Sequence, residues 1–192
     1  GLTSGNNLNK KGFAYDVFQS ATGRKDALDW YVSANGVQRN DQFDGNGHRI
    51  PQDTSQGSNM DTQTYDLQGR FGYELDADKK ISLSLQDYKD QQDTDYTKNP
   101  RITSEAVAVK GLDLDDQPFT HNQAVNLNYT DKDFYGQGLQ VESYWRRADA
   151  LFFPDLSRGK AGISDNNSVQ DVYGLRAAIE SAMPDIRPAT GT

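Results

Sequence analysis

Tyr65-Asp66-Leu67-Gln68-Gly69-Arg70-Phe71-Gly72-Tyr73-Glu74-Leu75 is the stretch whose reading decides the fold. Tyr65, Leu67, Phe71, Tyr73 and Leu75 share one parity, with Gly69 among them, while Asp66, Gln68, Arg70 and Glu74 share the other. Successive side chains of a strand point to opposite faces, so the segment reads as a strand with one continuous apolar side and one charged side.

Six other segments repeat the pattern. Phe13, Tyr15 and Val17 fall on one face of 11–20; Leu28, Trp30, Val32 and Ala34 oppose Asp29, Tyr31, Ser33 and Arg39 in 27–39. In 80–95 Ile81, Leu83 and Leu85 oppose Ser82, Ser84 and Gln86, and in 123–130 Val125, Leu127 and Tyr129 oppose Asn126 and Asn128. Leu139, Val141 and Trp145 oppose Glu142, Tyr144 and Arg146 in 137–150; Tyr173, Leu175, Ala177 and Ile179 oppose Arg176 and Glu180 in 170–182. Compact turns are read at 22–26, 76–79 and 130–133, where turn-forming residues cluster. Between them run long connections, 40–62, 97–122 and 151–169. Long loops at every second connection match a membrane barrel with short periplasmic turns and long extracellular loops.

Composition narrows the classes. Of 192 residues 34% are hydrophobic and 25% charged, and the mean hydropathy is −0.86. That is lean for a soluble domain that must fill a core, and it suits a sheet whose second face meets water. The 10 Tyr and 8 Phe argue against disorder. A net charge of −8 without a basic stripe argues against a nucleic-acid partner. The absence of cysteine excludes disulfides and thiolate metal sites. No run approaches the roughly 18 apolar residues of a transmembrane helix, whereas strands cross with about 10 alternating ones. Alternation alone also fits a soluble β-sandwich or a lipocalin-like barrel; loop asymmetry and strand length favour the membrane.

Several motifs carry more than periodicity. They are Phe43-Asp44-Gly45-Asn46-Gly47, Asp93-Thr94-Asp95-Tyr96, the run from Asn126 through Tyr129, Asp133, Phe134 and Tyr135 to Gln137, Val141-Glu142-Ser143-Tyr144-Trp145-Arg146-Arg147, Phe152-Phe153-Pro154 and Gln170-Asp171-Val172-Tyr173-Gly174-Leu175-Arg176. In order and spacing they resemble the early barrel of TonB-dependent siderophore receptors, in particular the ferric aerobactin type for hydroxamate–citrate siderophores. The resemblance implies an all-β, antiparallel transmembrane barrel segment, about seven strands of a 22-stranded barrel with a plugged lumen. It implies the bacterial outer membrane, a ferric siderophore as ligand with iron carried only as that complex, and a TonB complex reached through a plug and TonB box. Neither of those parts is visible here, nor is a final strand ending in an aromatic residue, so residues 1–192 are expected to be a partial barrel domain of a longer receptor. An eighth strand from 1–10 is not expected. A passive porin-like channel and a soluble β-sandwich binding or adhesion module are the alternatives.

Catalysis finds no support: His48 and His121 are expected in loops without a nucleophile motif. Asp44-Gly45-Asn46-Gly47 is a poor calcium loop, because His48 stands where an EF-hand wants an oxygen ligand. Leu112-Asp113-Leu114-Asp115-Asp116 reads as a solvated acidic tip rather than a metal site. Arginines on the polar parity are the better candidates, since a guanidinium presents a planar fork to carboxylate oxygens and a nearby tyrosine adds a hydroxyl and a ring. Arg39, Arg146 and Tyr144 are read as ligand-binding residues toward the extracellular end, and Arg70 and Arg176 as deeper, plug-facing ones; Tyr31 shares their face. Arg49, Phe152 and Phe153 are read as loop packing. Trp30, Tyr65, Tyr73, Tyr129, Trp145 and Tyr173 are expected to face lipid as interfacial aromatics.

Overall fold

A computed structural model describes residues 1–4, 10–51, 60–99, 107–152 and 166–181. Its strands are β1 (Leu2–Ser4), β2 (Phe13–Lys25), β3 (Leu28–Arg39), β4 (Thr62–Glu74), β5 (Lys79–Gln92), β6 (Tyr96–Lys98), β7 (Ala108–Lys110), β8 (Phe119–Phe134), β9 (Gln137–Phe152) and β10 (Asn166–Glu180). One eight-stranded sheet runs β1-β2-β3-β4-β5-β8-β9-β10, antiparallel throughout; β6 and β7 form a separate hairpin inside the β5–β8 connection. The sheet is open, so a closed barrel and its strand number are not observed. Among the described residues no helix is long and apolar enough to cross a membrane.

The expected strands are all present, with four corrections. Leu2–Ser4 pairs with β2, so an eighth strand exists where none was expected. The turn expected at 22–26 is tighter, because β2 runs on to Lys25 and only Asp26 and Ala27 turn. The turn expected at 130–133 lies instead at Tyr135 and Gly136, whose φ values of 54° and 82° are those of a type I′ hairpin, past a register shift between Asp131 and Phe134. Local composition marked the right neighbourhood, but the ladder partners decide where pairing stops. His121 belongs to β8 rather than a loop.

Pairing fixes the faces, since directly opposed residues lie on the same side. One row reads Thr22, Tyr31, Arg70, Ser84, Asn126, Tyr144 and Gly174 from β2 to β10. The row Gly23, Trp30, Phe71, Leu83, Leu127, Ser143 and Leu175 lies on the opposite face. The polar and apolar parities of every long strand thus merge into two continuous faces. Trp30 fills the space over Gly23, where a Cβ would meet its ring at 2.6 Å.

Among the described residues neither face is covered by a second layer. The only buried hydrophobic residues described are Met60 and Leu151, both at the end of the sheet that carries the long connections, whereas Leu175 is 77% and Tyr173 74% exposed. A β-sandwich needs a second sheet about 10 Å away, and the described residues provide none.

Aromatic residues close the apolar face at both margins. The Tyr65 hydroxyl reaches Asp87 Oδ1 at 3.3 Å and Trp145 Nε1 donates to Asp171 Oδ1 at 3.2 Å, toward the loop end. Tyr129 turns its hydroxyl the other way, to Asp131 Oδ2 at 3.3 Å near the short turns. Beyond the loop-end margin the same face becomes polar: His121 Nε2 lies 2.8 Å from Asp87, and Arg147 bridges Asp149 and Asp171 at 3.6 and 3.8 Å.

Candidate functional site

The polar face holds six cations in its paired rows, and their surroundings divide them. Arg24 pairs with Glu74 at 2.7 Å and Lys80 with Asp29 at 2.7 Å, both near the short turns. Arg39 Nη1 donates to Thr64 Oγ1 at 3.1 Å, and that hydroxyl donates in turn to Asp90. Arg70, Arg146 and Arg176 have no carboxylate partner among the described residues. A cation on a water-facing wall keeps its hydration when it lacks a partner, and it is then available to an anion from outside the sheet.

Tyr144 and Arg146 come together in one groove. They stand two residues apart on β9, so both project from the polar face, and the Arg146 guanidinium carbon lies 5.2 Å from the centroid of the Tyr144 ring. The groove has a volume of about 540 Å³, and Gln86, Asn122, Ala124 and Gln170 also line it. Ala124 and Val172 are the ladder partners of Arg146, and their short side chains leave room above the guanidinium. A guanidinium within cation–π reach of a ring, in a groove lined by side-chain amides, suits a polar, oxygen-rich anion. It offers no general base with a nucleophile, and no metal-ligating group of three or more His, Cys, Asp or Glu side chains occurs among the described residues.

The other predicted residues are placed elsewhere. Arg39 ends β3, four strands from β9 across the sheet and nearer the long connections. Its bond to Thr64 makes it part of the wall that joins β3, β4 and β5. Arg70 sits in the same ladder row as Tyr144, between Tyr31 and Ser84, and Arg176 lies opposite Glu142. Both are farther than Arg146 from the loop end of their strands. Sequence reading missed Gln86, Asn122 and Gln170 as groove residues and Thr64 and Asp90 as partners of Arg39. Strand parity put Gln86, Asp90 and Gln170 on the polar face, whereas Asn122 fell in the expected 97–122 connection and Thr64 just ahead of the expected strand; nothing in the sequence said which rows they share.

At the loop end Arg49 is a packing residue. Its side chain is 7% exposed, its Nε donates to Asp41 at 2.6 Å, its Nη2 pairs with Asp61, and its guanidinium covers the Tyr96 ring at 3.9 Å. The β3–β4 connection is thereby pinned to β6, in the β5–β8 connection. Asp93 N donates to Asp61 O at 2.8 Å, and Gln92 Nε2 to Met60 O at 3.4 Å, across the same junction. One guanidinium serves two carboxylates here, and burial, which Arg49 opposes and Asp41 reinforces, pushes the Asp61 carboxyl up to about 6. Asp44 organises a hairpin instead of a cation site: its Oδ1 accepts from Asn46 N at 2.9 Å and His48 N at 2.8 Å. The His48 amide is the main cause that holds its carboxyl below the usual value, against some desolvation. Asp113, Asp115 and Asp116 are exposed, and Phe152 is the exposed last residue of β9; Phe153 and Pro154 lie outside the described residues.

Comparison with known proteins adds what geometry cannot. No family model matches the chain, and no solved structure matches it. Among curated proteins it is 30% identical over 154 residues to a rhizobactin receptor of Rhizobium meliloti (strain 1021). It is 30% identical over 154 residues to ferric aerobactin receptors of Klebsiella pneumoniae and of Escherichia coli. Each alignment covers 74% of this chain and 21% of the relative, so the chain spans about a fifth of the length of the proteins it matches. These relatives are receptors by name, in keeping with the lack of a catalytic motif in the sequence. Over that segment the chain is related to the siderophore receptors, the family that its sequence motifs resemble.

Proposed function

We propose that this chain is a stretch of the wall of an outer-membrane, TonB-dependent β-barrel receptor that takes up a ferric siderophore, with Tyr144 and Arg146 among its ligand contacts. The observation that carries this reading is the similarity to rhizobactin and ferric aerobactin receptors along most of the chain. The uncovered apolar face supports the membrane. Leu67, Leu127 and Tyr73, on strands paired on both sides, are 47, 47 and 50% exposed, an uncovered apolar surface of the kind that lipid covers in such barrels. Its aromatic margins match the interfacial girdles of such barrels.

The continuity of the apolar band supports the same reading. Trp30, Phe71, Leu83, Leu127 and Leu175 fall on one ladder row from β3 to β10, so the apolar surface crosses the strands as one belt, as the lipid-facing band of an outer-membrane barrel does. On the opposite face Arg70 and Arg176, without in-sheet carboxylates, suit contacts to a plug in the lumen, and Arg146, nearer the loop end, suits an incoming anionic complex.

Uptake of iron-55 presented as ferric aerobactin tests the reading in cells whose only candidate receptor is the full protein. Uptake is expected to vanish with the gene and with loss of TonB or the proton-motive force. Uptake that survives loss of TonB would make the protein a passive channel, and an intact protein recovered from the soluble fraction would remove the membrane altogether.

A further inference from the structure

The ring of Tyr144 lies across a gap in the neighbouring strand. Gly174 is its direct ladder partner, and a methyl group built on Gly174 would overlap the ring at Cζ, Cε1 and the hydroxyl oxygen. The ring is therefore laid over the β10 backbone instead of standing off the sheet. A glycine within a strand weakens it, and an aromatic ring folded over the bare backbone offsets that cost. The arrangement also shapes the groove. With the ring down, the space above Ala124, Ala148 and Val172 stays open, and the Arg146 guanidinium rests 5.2 Å from the ring centroid. Gly138, in the same strand pair, makes no such demand: a Cβ there would meet Glu180 Cβ at 3.5 Å, an ordinary contact.

We propose that Gly174 is a positioning residue for the ligand groove, because its missing side chain lets Tyr144 lie down, which keeps the groove open and supports Arg146. The proposal deepens the reading of Tyr144 and Arg146 as ligand contacts and rests on it. A methyl group at position 174 lifts the ring into the groove and moves the guanidinium with it.

Two arms separate the proposal from the reading beneath it. In the full receptor carrying 3-fluorotyrosine at position 144, Gly174→Ala is expected to shift the fluorine resonance and Gly138→Ala to leave it in place. In the second arm ferric aerobactin is the probe. Gly174→Ala is expected to weaken its binding about 3–10-fold and to add nothing in a Tyr144→Ala background. A fluorine resonance unmoved by Gly174→Ala overturns the proposal whether or not the probe binds. Equal losses in both backgrounds overturn it too, because the effect would then bypass the ring. A shifted resonance with undiminished binding by Arg146→Ala upholds the placement of Tyr144 and overturns the ligand reading. Should Gly174→Ala fail to assemble, the Tyr144→Ala/Gly174→Ala double variant decides: assembly equal to Tyr144→Ala alone upholds the ring overlap, and failure overturns it.

Discussion

Arg146 and Arg39 carry the same charge on the same face of one sheet, and their neighbours separate their roles. Arg146 rests on Tyr144 over a groove lined by amides, whereas Arg39 is engaged by Thr64, which is itself bonded to Asp90. Arg146→Ala is expected to weaken ferric aerobactin binding by about 1.5–3 kcal/mol, roughly 10–100-fold, the worth of hydrogen bonds to a charged group. Arg39→Ala is expected to leave that affinity alone and to lower protection of the neighbouring amides in hydrogen exchange. Reversed outcomes in a pair of ligand titrations would exchange their roles. Asp61 supplies a pH dependence at the same scale. Burial raises its carboxyl from 3.8 to about 6, so its contribution to local stability is full below about pH 4 and is lost as pH rises through 6. Proteolytic resistance of the β3–β4 connection is therefore expected to grow from pH 7 to pH 5, and Asp61→Asn to flatten the profile. A connection that loosens on acidification would contradict the assignment.

At the scale of elements, each long strand is defined by what its two faces meet. Phe71 lies midway along the apolar band of β4, with Trp30 and Leu83 as ladder partners. Phe71→Arg is expected to cost about 2–4 kcal/mol if that face meets hydrocarbon near mid-depth, read as lost folding stability in lipid vesicles. Ser82→Arg, one row away on the opposite face, is expected to escape that penalty if that face meets water. The connections at the loop end obey other rules. Arg49 joins two of them through Asp41, Asp61 and Tyr96, and breaking a buried ion pair from one side costs about 3–5 kcal/mol. Arg49→Ala is expected to open protease sites in both connections at once, since they share one clamp; cleavage confined to the β3–β4 connection would show that they are independent.

For the whole molecule the continuity of the apolar band is the informative quantity. Phe71, Leu127 and Leu175 belong to one ladder row on one face, and Arg70, Asn126 and Gly174 to the adjacent row on the other. Single spin labels at 71, 127 and 175 in the full protein are expected to be reached by oxygen and shielded from a water-soluble quencher, and a label at 126 to show the reverse. Labels at 71, 127 and 175 that are open to the quencher would remove the lipid-facing belt.

The amino-acid sequence by itself determined the strands and their faces, because side chains alternate with a period of two and need no partner to do so. Trp30, Phe71, Leu127 and Leu175 were legible as one face, and Arg70, Tyr144 and Arg176 as the other, before any pairing was known. The family was legible too, from motifs at fixed spacing. Only the tertiary structure decided which residues of distant strands became neighbours. Tyr144 lies on Gly174, Arg39 reaches Thr64, and Arg49 finds Tyr96 because register is set by where the turns close and where pairing stops. The Tyr135–Gly136 turn and the short β1 strand show why that escapes a linear reading. Their energies come from cross-strand bonds, and a cross-strand bond has no period along the chain.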